Sequence, residues 1–132
     1  MEHTTYAPHD IPRFLRQTTW PMIEDTEIYQ TTKAIHETIR DSFGYCQEHQ
    51  RFKIVQEQAT RSSLSILNNF CEALGKGKGN TAQILMIARG EARECAASIA
   101  VGPPTWKELR PQILRVIEMI DQTITNIIPP GC

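Results

Sequence analysis

Long apolar runs are missing from this 132-residue chain, which excludes a membrane-spanning helix of about 20 consecutive apolar residues. The polar N-terminus lacks the charged-then-apolar order of a secretory signal. A surplus of charge is missing as well: the net charge is −1, which argues against a generic nucleic-acid coat. Zinc-type pairing is absent among Cys46, Cys71, Cys95 and Cys132, and two of these fall in helical stripes. They are expected to be reduced thiols in a bacterial-type cytoplasm. None of His3, His9, His36 or His49 has a glutamate three residues before it, so the Glu-x-x-His pairs of di-iron bundles are missing. Cys46-x-x-His49 is a half-site in an expected loop. Ser62, Ser63 and Ser65 have no motif-placed histidine, so the chain carries no nucleophile–base pattern. The expectation is a non-enzymatic protein with no cofactor and no metal.

What the chain does have is helical periodicity. Leu85, Ala88, Ala92, Cys95 and Ile99 recur every three or four residues, one continuous stripe down an α-helix. Phe52, Val55, Ala59, Ile66, Phe70 and Leu74 form a second stripe, interrupted by serines. Ile28, Thr32, Ile35, Ile39 and Phe43 form a third; Ile113, Ile117, Ile120, Ile124 and Ile127 form a fourth. Helices are therefore expected over about 23–43, 51–74, 81–101 and 106–128. Gly44 and Gly75 act as stops, Asn80 is an N-cap with Gln83 in the capping-box position, and Thr105 with Glu108 caps the last helix. Pro111 should kink that helix or reset its start. Gly90, costly inside a helix, suggests a close backbone crossing. Short connections between four such helices give an all-α, up-down-up-down antiparallel four-helix bundle over residues 22–132. Residues 1–21, with Pro8, Pro12 and Pro21, read as an irregular N-terminal arm. Its Ile11, Phe14, Leu15 and Trp20 are apolar enough to pack on the bundle, on another subunit or on a partner.

Charge is distributed unevenly. Residues 1–50 hold four basic and eight acidic side chains. Residues 51–93 hold seven basic ones, Arg51, Lys53, Arg61, Lys76, Lys78, Arg89 and Arg93, against Glu57, Glu72 and Glu91. These seven cations are the candidate nucleic-acid contacts. If helices 2 and 3 fold back about the Gly75–Gly79 turn, residues at one level have numbers summing to roughly 155. That sets Arg61 beside Glu94 as an inter-helix ion pair and Arg89 near Ser65 and Asn69. The turn itself, Gly75-Lys76-Gly77-Lys78-Gly79, lacks the Gly-x4-Gly-Lys-Ser/Thr spacing of a phosphate loop, and turn chemistry explains its glycines. Leu64, Leu67, Cys71, Ile84, Ile87, Leu114 and Ile128 fall off the main stripes, an apolar surplus that suggests subunit contacts.

The central hairpin also carries a resemblance. Gln58, Arg61, Ser65, Ile66, Asn69 and Glu72, followed by Leu85, Ile87, Ala88, Arg89, Gly90, Ala92 and Glu94, resemble the small four-helix-bundle proteins of bacterial ribosomal-RNA intervening sequences. That superfamily includes the accessory variability proteins of diversity-generating retroelements, partners of a reverse transcriptase. Ala73 and Glu91 stand where the family usually has Gly and Ser. The resemblance implies a homo-oligomeric ring, typically a pentamer, acting on structured RNA or a reverse transcriptase–RNA complex. The alternative from another class is a protein-interaction scaffold with no nucleic-acid role.

Overall fold

A computed structural model describes residues 22–42, 48–75 and 80–127. Four long helices account for most of them: α1 Glu27–Arg40, α2 Lys53–Gly75, α3 Thr81–Ala100 and α4 Leu109–Ile127. Short helical turns at Met22–Asp25, Glu48–Arg51 and Pro104–Trp106 precede α1, α2 and α4, and no strand occurs among the described residues. Each long helix packs on its chain neighbours, and α1 closes the ring against α4. Cross-helix bonds give the directions. Gln56 Nε2 reaches the Ile39 carbonyl while Ser63 meets His36, so α1 and α2 are antiparallel. Arg61 meets Glu94 and Thr81 meets the Ala73 carbonyl, so α2 and α3 are antiparallel with sums of 155 and 154. The fold is an up-down-up-down four-helix bundle.

Burial follows the periodic stripes on α1 and α3. Ile28, Thr32, Ile35 and Ile39 are inaccessible, as are Leu85, Ala88, Ala92 and Cys95. α2 buries a wider face than its apolar stripe. Ser62, Ser63, Leu67 and Ala73 join Ala59, Ile66 and Phe70 inside. Leu67 is therefore core rather than surplus. The two serines keep this position inexpensive by bonding the Ala59 and Thr60 carbonyls within their own helix. Small residues on both faces let α2 and α3 make the most extensive contact in the bundle. On α4 the buried set is Leu109, Ile113, Val116, Met119, Ile120, Thr123 and Ile124, while Ile117 and Ile127 are only half-buried.

The helix ends depart from the sequence expectation for identifiable reasons. α1 starts at Glu27 rather than Ile23 because Thr26 is its N-cap: the Thr26 hydroxyl accepts from Tyr29 N at 3.2 Å and donates to the Ile23 carbonyl at 2.8 Å. It stops at Arg40, where Asp41 leaves helical geometry (ψ 7°) and bonds Arg40 Nε at 2.9 Å. Phe43, Gly44 and Ile128 lie outside the described residues. Asn80 occupies the N-cap of α3 but its side chain makes no capping bond; Thr81 instead ties the helix start to Ala73. Thr105 falls inside the Pro104–Trp106 turn, not at the cap of α4. Pro111 is the third residue of α4, where its missing N–H has no intrahelical duty, so the helix accepts it without interruption.

Two glycines behave in opposite ways. Gly90 is exposed, and a Cβ there would meet nothing within 4 Å, so no crossing among the described residues explains it. At Gly102 a Cβ would press on Trp106, 2.5 Å from Cζ3 and 3.1 Å from Cδ2. Trp106 is 1 % exposed and its indole N–H donates to Ser42 Oγ at 2.8 Å. That bond fastens the α3–α4 connection onto the end of α1.

Candidate functional site

The structure does not gather the five described candidate cations, Arg51, Lys53, Arg61, Arg89 and Arg93, into one cluster. Arg61, near the middle of α2, donates to Glu94 at 2.9 Å and to Glu91 at 3.5 Å. The Glu94 carboxylate, then Glu91, holds its guanidinium above the ordinary arginine pKa. Arg89 turns toward α4 and bonds Asp121 at 2.7 Å, with its side chain 28 % exposed. Asn69 meanwhile bonds Ser65 within its own helix, to the carbonyl at 2.9 Å and the hydroxyl at 3.1 Å. Arg93, one turn beyond Arg89, is exposed. Arg51, at the end of the Glu48–Arg51 turn, and Lys53, the first residue of α2, are exposed, with the Arg51 guanidinium 5.3 Å from the Phe52 ring centroid. Lys76 and Lys78 lie outside the described residues.

Carboxylates thus engage two of the five described cations, and the Asp121 partner was invisible to a reading of the hairpin alone. It depends on how α4 is rotated against α3. Cations outside the hairpin supply what the sequence reading missed. Lys107 and Arg110 are exposed and line a shallow cavity of about 220 Å³ with Ile99, Pro103 and Pro104. Neither has a carboxylate partner among the described residues.

One polar pair looks chemical at first sight. His36 Nδ1 lies 2.8 Å from Ser63 Oγ, a serine–histidine contact that no motif spacing announced. Ser63 is fully buried and its hydroxyl already donates to the Thr60 carbonyl at 3.1 Å. The imidazole therefore donates through Nδ1, and no substrate can reach the serine oxygen. Burial, then the Arg40 charge, holds the His36 pKa below its ordinary value. The Cys95 thiol is pushed up to about 11 by burial, which suppresses the reactive thiolate. Cys71, half-buried, is also raised by burial and secondly by Glu24. Among the described residues no three metal-ligating side chains converge, and no helix is long and apolar enough to cross a membrane.

Comparison with family models, with curated proteins and with solved structures finds no match in any of the three.

Proposed function

We propose that this chain is a non-catalytic, self-associating helical bundle that serves structured RNA or a reverse transcriptase–RNA complex as an accessory protein. The observation that carries the self-association is apolar surface left outside a closed core. Ile54, Val101, Ile87, Leu114, Leu64 and Met86 are 71, 65, 54, 46, 44 and 40 % exposed. Single exposed aliphatics are ordinary, but six on three of the four helices suit subunit contacts. Gly90, exposed on α3 with open space beside it, suits a neighbouring backbone approaching there. The free thiols Cys71 and Cys95 suit a reducing cytoplasm. The central-hairpin resemblance supports a ring of five and an RNA-bound partner.

Sedimentation of the purified chain tests the first half: a mass of several 15.0 kDa subunits is expected, and a stable lone subunit at dilution refutes it. Binding to structured RNA tests the second half. With six phosphate contacts, affinity should fall by about a thousandfold between about 50 and 200 mM salt. A flat response, or no binding, refutes the RNA reading. A protein-interaction scaffold with no nucleic-acid role is the second reading. Neutralisation of Arg61 by Glu94 and of Arg89 by Asp121 favours it.

A further inference from the structure

Ten lysines and arginines lie among the described residues, and four of them, Arg40, Arg61, Arg89 and Arg115, are held by carboxylates. Of the six others, four belong to one end of the bundle. Arg51 ends the short turn just before α2 and Lys53 is the first residue of α2; Lys107 lies between the Pro104–Trp106 turn and α4, and Arg110 is the second residue of α4. Three bonds show that these starts share an end. Gln56, one turn into α2, bonds the Ile39 carbonyl at the end of α1. Trp106, just before Lys107, bonds Ser42, also at the end of α1. The α2–α3 register, fixed by Arg61–Glu94, sets Ile54 level with Val101. The local carboxylates are fewer by one: Asp41 is engaged by Arg40, which leaves Glu48, Glu57 and Glu108 against four cations.

We infer that this end, rather than the middle of the hairpin, is the surface that receives RNA, an inference that rests on the RNA reading above. Lys107 and Arg110 stand at the wall of the cavity beside Pro103 and Pro104, a seat for a backbone phosphate. Gly102 stacked on Trp106 and the Trp106–Ser42 bond brace that wall. Arg51 is exposed, and its guanidinium lies over the Phe52 ring. An unpaired base can stack on the guanidinium from the side away from Phe52. Ile54 and Val101, at one level and largely exposed, add apolar contact for splayed bases. The recognised class is therefore RNA with unpaired nucleotides, held by phosphates and stacking rather than by base-edge readout.

The test uses the full chain and a labelled stem–loop RNA. Lys107→Gln with Arg110→Gln removes two contacts that each scale with about the −0.8 power of salt, a loss of about fortyfold at about 0.1 M. The slope against salt should flatten by about 1.6 in the same variant. Lys33→Gln, on α1, should bind as the wild type does. Acetylation footprinting gives an answer without any variant: RNA should shield Lys53 and Lys107 and leave Lys33 reactive. If the wild type binds RNA and the double variant binds equally, with Lys53 and Lys107 unshielded, this end is wrong and the RNA reading stands. If the wild type binds no RNA at about 50 mM salt, the RNA reading falls, this inference falls with it, and the surface passes to a protein partner.

Discussion

Gly102→Ala puts the packing of the α3–α4 connection to a direct test. The new Cβ would press on Cε3 of Trp106, 2.5 Å from Cζ3 and 3.1 Å from Cδ2. Carbon atoms rest at about 3.5–4.0 Å, so the ring must retreat by about 1 Å. It has nowhere easy to go. Trp106 is 1 % exposed, and moving it stretches the 2.8 Å bond from its N–H to Ser42. Overpacking costs about 1–3 kcal/mol, and losing the indole bond adds about 1 kcal/mol. The sum, about 2–4 kcal/mol, should lower Tm by about 8–15 °C for a chain of this size. Thermal unfolding followed by circular dichroism reads this. A Tm within about 2 °C of the wild type would refute the argument that Trp106 is pinned. The assay should also be run on Gly90→Ala, where the sign is opposite: in open space on a helix, alanine should stabilise by about 0.5–1 kcal/mol. A drop in the mass of the assembly for that variant would instead place Gly90 inside a subunit contact.

Three further outcomes follow from the polar groups of the core. His36 has a lowered folded pKa, so the unfolded chain binds the proton first as pH falls through about 6.5. Stability is full above that pH and should decline toward the lower folded value, which burial and then the Arg40 charge depress while Glu37, Asp41 and the Thr60 backbone oppose them. His36→Gln should flatten this part of the Tm–pH profile, and an unchanged slope would assign it to other groups. Thr32 is inaccessible and its hydroxyl has no partner among the described residues, so Thr32→Val should raise stability by about 1 kcal/mol in denaturant titration. A loss there would show that the hydroxyl is satisfied. Cys95, with its thiol near pKa 11 and no exposure, should resist alkylation until denaturant is added. Native labelling of Cys95 as fast as Cys71, measured by peptide mapping, would contradict its burial.

The sequence showed most of the fold because amphipathic periodicity is a local property. On α1 and α3 every described residue of the stripe is buried, and Thr81 alone joins them on α3. α4 was harder. Following its isoleucines picked out Ile117 and Ile127, whereas the buried face takes in Val116, Met119 and Thr123. Trp106 sits between Pro104 and Pro111, where there is no periodicity to read, so its burial and its bond to Ser42 had no sequence signal. The level matching of α2 and α3 was accessible from the length of the turn between them. Which charges are neutralised was not, because Asp121 and Glu91 acquire their roles from helix rotation. A list of basic residues in one segment cannot separate a cation in an ion pair from one that is free.

The bond from Trp106 to Ser42 and the pairing of Arg115 with Glu27 make α1 and α4 antiparallel neighbours. An even number of alternating rods returns the path to the side from which it set out. The described bundle is therefore entered at Met22 and left at Ile127 on the side away from Trp106. A reporter fused at either point would hang clear of Lys107 and Arg110. A circular permutant reopened between Gly75 and Asn80, its old ends joined by a short linker, would keep all four rods in register.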